Sequence, residues 1–328
     1  MKPFFLGLTR DLLTHDGKPS FGEAPLQLLH AESHIRWEFI PESLHEITPE
    51  IMARYDGIHI NTARVTGAAL VGGSPRVRIV SRHGVGYDAV DVAALAEHGI
   101  ITTNTPVAIR RPVAVAALTF IFALAGRLIT KDRLVREGQW NARTSHMGLG
   151  LTSRTLGVVG VGGIGRELLR LAAPFGWRML ACDPQVDAAT IAALGARKTA
   201  FHDLLAQSDF VVASLILNAA TRHLFDAAAF AAMKPQAFFV NMARGGVVDE
   251  HALIDALVQH RIAGAGLDVF EQEPIAPDNP LLGMPQVILS PHALCWTDEC
   301  FDAIAREGLA NVVAFSRGEQ PSSIVPAH

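Results

Sequence analysis

The sequence predicts an α/β protein built from two doubly wound parallel-sheet domains. Three observations carry this. The chain has 328 residues, whereas single hydrophobic cores stop growing near ~250–300 residues. Through the first hundred residues, short apolar runs alternate with amphipathic ones, and strand–helix alternation implies a parallel sheet covered on both faces. After a polar break the alternation restarts and completes a second unit. With 49% hydrophobic residues, there is material for two packed cores.

In the first series FFLGL (4–8), RWEFI (36–40), DGIHI (56–60), VRIVS (77–81) and IITTN (100–104) read as strands. The stretches between read as helices, such as DVAALAEHG (91–99), which closes on a C-cap glycine. A long buried helix is predicted over 111–128, with Pro112 in its first turn, where a missing N–H costs nothing. REGQWNARTSHMGLG (136–150) then breaks the pattern as a loop or arm. Trp140 inside it marks either a partner surface or a local packing anchor. The second series is TLGVVG (155–160), RMLAC (178–182), FVVASL (210–215), AFFVNM (237–242), AGAGLDV (263–269) and QVILS (286–290). Phe301, Ile304, Ala305, Leu309, Val312 and Val313 then repeat at helical spacing in a final helix, about 297–316. That helix is expected to cross back to the first domain. The domains are therefore 1–104 with 297–328, and 105–296, with a hinged cleft expected between them.

Composition excludes several classes. Net charge is −4 and no dense Lys/Arg run occurs, so no nucleic-acid partner is expected; the densest basic spots are Arg110–Arg111 and Arg76/Arg78. The N-terminus MKPFFLGLTRD lacks the apolar stretch of a signal peptide. The longest apolar run, 113–126, is shorter than the ~20 residues a membrane span needs, so no membrane is expected. Three cysteines, Cys182, Cys295 and Cys300, without CxxC spacing point to free thiols in a reducing compartment, the cytoplasm. His30 and His34 stand at i, i+4, but without the HExxH order or a third ligand they read as a solvated helix face; no metal is expected.

Residues 160–165, GVGGIG, place Gly160, Gly162 and Gly165 in a G-x-G-x-x-G pattern after a strand and before a helix. Eighteen residues beyond Gly165, at the next strand's end, stands Asp183. This is the setting of a dinucleotide site. Gly160 permits the tight turn, Gly162 leaves room for a pyrophosphate, and Gly165 lets the helix approach the strand. The N–H groups of Gly163 and Ile164 and the helix dipole face the phosphates. Asp183 suits the adenosine ribose hydroxyls and repels a 2′-phosphate, so NAD is expected over NADP.

Three further residues fall at C-terminal strand ends, where open α/β sheets bind ligands. Arg244 lies in NMARGGVVDE (241–250), Glu273 follows GLDVF in GLDVFEQEP (266–274), and His292 closes VILSPH (287–292). Alone, the histidine reads as a core imidazole and the arginine as a helix-capping cation. Together, beside a dinucleotide loop, they read as a catalytic group.

These segments, with RHGVGYD (82–88), NTP (104–106) and SPHALCWT (290–297), resemble the D-isomer-specific 2-hydroxyacid dehydrogenase family across nearly the whole chain. The resemblance implies a Rossmann NAD domain inserted in a flavodoxin-like substrate domain. It implies that His292 is the general acid in reduction and the base in oxidation, a task suited to imidazole. Glu273 would bond its other nitrogen, and Arg244 would grip the substrate carboxylate and carbonyl. Gly84, Val85 and Gly86 would hold the carboxylate from the other domain, with domain closure excluding water. Asp268 would face the nicotinamide carboxamide, and Ile216, Thr221, Met242 and Ala243, with Arg244 and His292, would complete the cofactor-binding set. A homodimer through residues 111–150 is the family's habit.

Some positions depart from the family pattern: Ile216, Leu217 and Asn218 replace Pro-Leu-Thr, Val115 replaces a glutamate, Ala89 an asparagine, and Trp296 a small residue. Trp296 either narrows the pocket near His292 or packs between domains. The leading expectation is an NAD-dependent reductase of a small 2-oxo acid such as glyoxylate or hydroxypyruvate. The alternatives are a phosphoglycerate dehydrogenase-like activity, although the chain stops at His328 without a regulatory domain; a non-catalytic NAD-sensing binding protein; and a formate or phosphite oxidase on the same scaffold.

Overall fold

The computed structural model describes residues 2–327. They divide into two compact units, 2–109 with 296–327 and 110–295.

The first unit has five strands: β1 (Phe4–Leu8), β2 (Ile35–Phe39), β3 (Gly57–Ile60), β4 (Ile79–Arg82) and β5 (Ile101–Thr103). They form one parallel sheet in the order β2-β1-β3-β4-β5. Leu6, Leu8, Ile58, Ile60, Ile79 and Val80 are buried, as strands covered on both faces require. One face carries Ile51, Met52, Tyr55 and Leu95. On the other lie Leu26 and Leu29 together with Phe301, Ala305, Leu309 and Val312 of the C-terminal helix Asp298–Ser316. That helix therefore belongs to this unit.

His59 and Ser81 are register partners on β3 and β4 beneath this helix. Ser81 donates to Gly308 O (3.1 Å), so its oxygen accepts from His59 Nδ1 (3.0 Å). His59 Nε2, then bare, accepts from His83 Nδ1 (3.1 Å). His83 Nε2 is left as a buried lone pair with no hydrogen-bond partner among the described residues. Burial pushes His59 down to about 4, and burial with the neighbouring charges of His59 and Arg82 pushes His83 well down. Both rings are thus neutral.

The second unit has seven strands: β6 (Thr155–Val159), β7 (Arg178–Cys182), β8 (Ala196–Lys198), β9 (Phe210–Ala213), β10 (Phe238–Asn241), β11 (Gly264–Leu267) and β12 (Val287–Leu289). All are parallel, in the order β12-β11-β10-β9-β6-β7-β8. This is the Rossmann order, extended by one strand, with its switch point between β6 and β9. Phe225, Phe230 and Phe239 anchor a core of interlocking rings. The register aligns the strand ends: Val159 pairs with Ala213, Asn241 with Leu267, and Leu267 with Leu289. Gly160 is thus brought beside Ser214, and Asp268 beside Ser290.

Several local expectations change. The long helix is Arg110–Gly126; Arg127 then adopts a left-handed conformation (φ 50°), and a second helix, Leu128–Arg136, leaves at a 57° bend. No single helix among the described residues is long and apolar enough to cross a membrane. The arm contains a 3₁₀ segment, Trp140–His146, with Trp140 exposed. β8 was not anticipated: two of its three residues are exposed, so it carries no apolar signal. His30 and His34 do not share a helix. The helix Gln27–His30 ends at His30, and His34 bonds Ser316 and Glu32.

Candidate active site

The glycine loop joins β6 to the helix Gly163–Ala172. Gly160 has φ +94°, a conformation that favours glycine, and a Cβ there would lie 2.6 Å from Ser214 O. A Cβ on Gly165 would lie 2.1 Å from Gly160 O, so the helix can start this close to the strand only with glycine. A Cβ on Gly162 would meet nothing within 4 Å. Gly162 is the N-cap and has no capping side chain, and the first N–H groups of a helix have no intrahelical acceptor. Room beside Gly162 and donors from Gly163 and Ile164 fit the pyrophosphate of a dinucleotide. Asp183 follows β7, and its two oxygens accept from Val161 N and Gln185 N, each at 2.8 Å. The carboxylate is thereby fixed beside the loop.

On the other half of the sheet, β10 leads to Arg244, β11 to Asp268 and Glu273, and β12 to His292. His292 has φ +56°, an uncommon conformation for a residue with a side chain. Its N–H bonds Ser290 O across Pro291, which turns the chain sharply at the strand end. Its Nδ1 lies 2.9 Å from Glu273 Oε2, while Glu273 Oε1 accepts from Phe270 N at 3.0 Å. Burial would raise the Glu273 carboxyl. Hydrogen bonds from His292 and Phe270, with the charges of His292 and Arg244, outweigh burial and hold it below its ordinary value. Arg244 Nη1 donates to Ala243 O (2.7 Å), and Asn241 Nδ2 holds Arg244 O (3.0 Å). The imidazole, the carboxylate and the guanidinium therefore occupy neighbouring strand ends of one unit.

Asp268 has a role that its sequence position did not reveal. It is 3% exposed, and its Oδ1 accepts from Ala293 N (3.0 Å) and Leu294 N (3.1 Å). It anchors the turn that carries His292. Burial raises its carboxyl, opposed by bonds from Ser290, Leu294 and Ala293. Met242 and Ala243 are buried in the core, so they can offer a ligand only main chain. Ile216 is exposed, and Thr221 Oγ1 closes its loop by donating to Ile216 O (2.6 Å).

A clamp escaped sequence reasoning. Glu250 N donates to Glu271 and Glu271 N donates to Glu250, a reciprocal pair that ties the Arg244 turn to the Glu273 loop. His223 Nε2 bonds Glu271, and His223 N donates to Gly246 O (2.9 Å), adding a third loop. Both glutamates lie in quoted motifs, but nothing in their spacing announced that they meet.

In the first unit Gly84 has φ +125°, and a Cβ there would collide with Arg82, which folds back to His83 O. Asn104 Nδ2 donates to Val85 O (2.8 Å) and Thr105 N to Gly84 O (3.0 Å), which fixes the Gly84–Val85–Gly86 turn. Trp296 is half-exposed and packs edge-on against Phe301.

A parallel sheet in this order, with this glycine loop and acid, is the setting of a dinucleotide-dependent oxidoreductase. The profile described as "D-isomer specific 2-hydroxyacid dehydrogenase, NAD binding domain" matches residues 118–293. A glyoxylate reductase of Korarchaeum cryptofilum is 41% identical over 255 residues, 77% of each chain. A glyoxylate reductase structure from Paecilomyes thermophila superposes with a TM-score of 0.83 at 29% identity, covering 99% of both chains. An NADPH-dependent glyoxylate/hydroxypyruvate reductase from Sinorhizobium meliloti also gives 0.83, at 26% identity, covering 99% of this chain and 98% of that one. The chain belongs to the D-isomer specific 2-hydroxyacid dehydrogenase family.

Proposed function

We propose that this enzyme reduces small 2-oxo acids such as glyoxylate or hydroxypyruvate to D-2-hydroxy acids with NADH, and catalyses the reverse oxidation. One observation carries the reading: within one unit that also holds a dinucleotide loop, His292 is held by Glu273, whose carboxyl feels the Arg244 charge. The activities named for the similar proteins support the substrate class.

When bound, the dinucleotide supplies a hydride to substrate C2. Glu273 accepts a hydrogen bond from Nδ1–H, which stays on the ring, so His292 turns Nε2 toward the substrate oxygen, gives it the Nε2 proton in reduction and takes one there in oxidation. Arg244 presents a planar fork of donors to the carboxylate. The Gly84–Val85–Gly86 turn is assigned to substrate carboxylate binding. Main chain of Met242 and Ala243, with Ile216 and Thr221, is assigned to the nicotinamide half of the cofactor.

Asp183 supports the preference for NADH, because a carboxylate fixed beside the loop opposes a 2′-phosphate. NADH absorbance is expected to fall on addition of glyoxylate or hydroxypyruvate, with NADPH a poorer donor. Failure of every 2-oxo acid in a panel overturns the activity; tighter binding of NADPH overturns the cofactor preference.

The enzyme is further assigned to the cytoplasm, supported by its three free cysteines, and to a homodimer through residues 111–150. Exposed Val115, Leu128, Ile129, Val135, Trp140 and Met147 along that segment support the dimer. Light scattering should give twice the chain mass; a monomer at micromolar concentration overturns it.

A further inference from the structure

We infer that Arg110 is the cation that neutralises the dinucleotide pyrophosphate, a role that rests on reading the glycine loop as the cofactor site. Arg110 opens the helix Arg110–Gly126, which packs against the helix Gly163–Ala172. A Cβ on Gly163 would lie 2.6 Å from Arg110 Nε, 3.0 Å from Cδ and 3.1 Å from Cγ. The arginine stem therefore occupies the space that a side chain at the first residue of the phosphate-facing helix would need. Gly163 has no unusual φ, so the backbone does not demand glycine there; the space taken by Arg110 does. The adjacent Arg111 pairs through Nη1 with Glu167 Oε1 at 3.1 Å.

Charge argues the same way. A helix N-terminus contributes roughly half a unit of positive charge, against two negative charges on a pyrophosphate. A guanidinium laid along the first turn supplies a full charge and a fork of donors matched to phosphate oxygens. The three atoms nearest a Cβ on Gly163 all belong to Arg110. Arg166, one turn into the helix, bonds Val161 O through Nε at 3.0 Å.

The test is equilibrium binding of NADH, ADP-ribose and adenosine, followed by calorimetry or intrinsic fluorescence at low and high salt. Arg110→Gln should weaken ADP-ribose and NADH about tenfold and leave adenosine within about twofold, because adenosine has no pyrophosphate. Arg110→Lys should recover part of the loss. Gly163→Ala should reproduce it by displacing Arg110 with the charge retained. Salt should weaken ADP-ribose binding more in the wild type than in Arg110→Gln. Unchanged ADP-ribose affinity in Arg110→Gln overturns the inference, as does an equal loss of adenosine. A wild type that binds adenosine but not ADP-ribose overturns the cofactor-site reading itself.

Discussion

His292 Nδ1 stands 2.9 Å from Glu273 Oε2, and the imidazole is carried by a residue held at φ +56°. One carboxylate oxygen thus fixes the ring while the other is fixed by Phe270 N. His292→Gln is expected to remove most turnover, on the order of 10²–10⁴-fold for a general acid–base, with NADH affinity retained. Glu273→Gln should lower kcat by about tenfold or more and change KM less, since it acts through the ring. Full activity in His292→Gln would overturn the role.

Glu273 also predicts an acid limb of stability. Its carboxyl sits below the ordinary 4.5 in the folded protein, so its contribution is complete above that value and is lost as pH falls through the folded pKa. Thermal melts between pH 5 and pH 3 should show the wild type losing more than Glu273→Gln. Parallel curves would mean that the pair contributes nothing to folding.

Asp268 separates anchoring from chemistry. Asp268→Ala strands two part-buried N–H groups, at up to roughly 1–3 kcal/mol each, and should lower kcat by loosening the turn around His292. Asp268→Asn can still accept from Ala293 N and Leu294 N and should keep the fold. The raised carboxyl makes the wild type lose ground to Asn as pH rises from 3.8 through the folded pKa, because ionisation is then disfavoured only in the native state. A Tm difference between the two that is independent of pH would contradict this.

What sequence could read, and what it could not, divides along contact range. Strand ends and the glycine loop are local patterns, and Arg244, Glu273 and His292 were located from them alone. Asp268 was recognised, but not its acceptance of N–H groups 25 and 26 residues further on. The Glu250–Glu271 exchange and the His59–His83 bond likewise join segments that touch only after the sheets form. The helix Leu128–Arg136 was hidden because it is mostly polar, with Leu134 alone buried. β8 is too short and too exposed to announce itself.

The buried His59–His83 pair should make the first unit acid-labile. Both imidazoles are depressed in the folded state, His59 to about 4 from 6.5. Their stabilising contribution is complete above 6.5 and is lost progressively as pH falls toward 4, because the unfolded chain takes up protons first. For His59 the loss is on the order of 3 kcal/mol. Chemical denaturation of the wild type should weaken steeply between pH 6.5 and pH 4, and His59→Gln should flatten that slope even if it is less stable at pH 7. An unchanged slope would show that the imidazoles do not govern it.

Gly245 tests whether the spacing between Arg244 and Glu273 is set by backbone contact. A Cβ there would lie 1.8 Å from Phe270 O and 2.4 Å from Glu271 N, so the two turns meet main chain to main chain. The φ of Gly245 is open to any residue, which makes crowding the cause of any defect. Gly245→Ala should push the 270–273 loop away from Arg244, and a displacement of about 1 Å can cost on the order of 10²-fold in rate. The neighbouring Gly246→Ala meets the flexible ends of Leu217, at 3.1 Å, and Arg222, at 3.6 Å, and should stay near wild type. Measured side by side, the pair should differ in kcat/KM while binding ADP-ribose alike, since the glycine loop lies on other strands. Equal activities would show that the loop adjusts freely and that the clamp of Glu250 and Glu271, rather than the glycine, sets the distance.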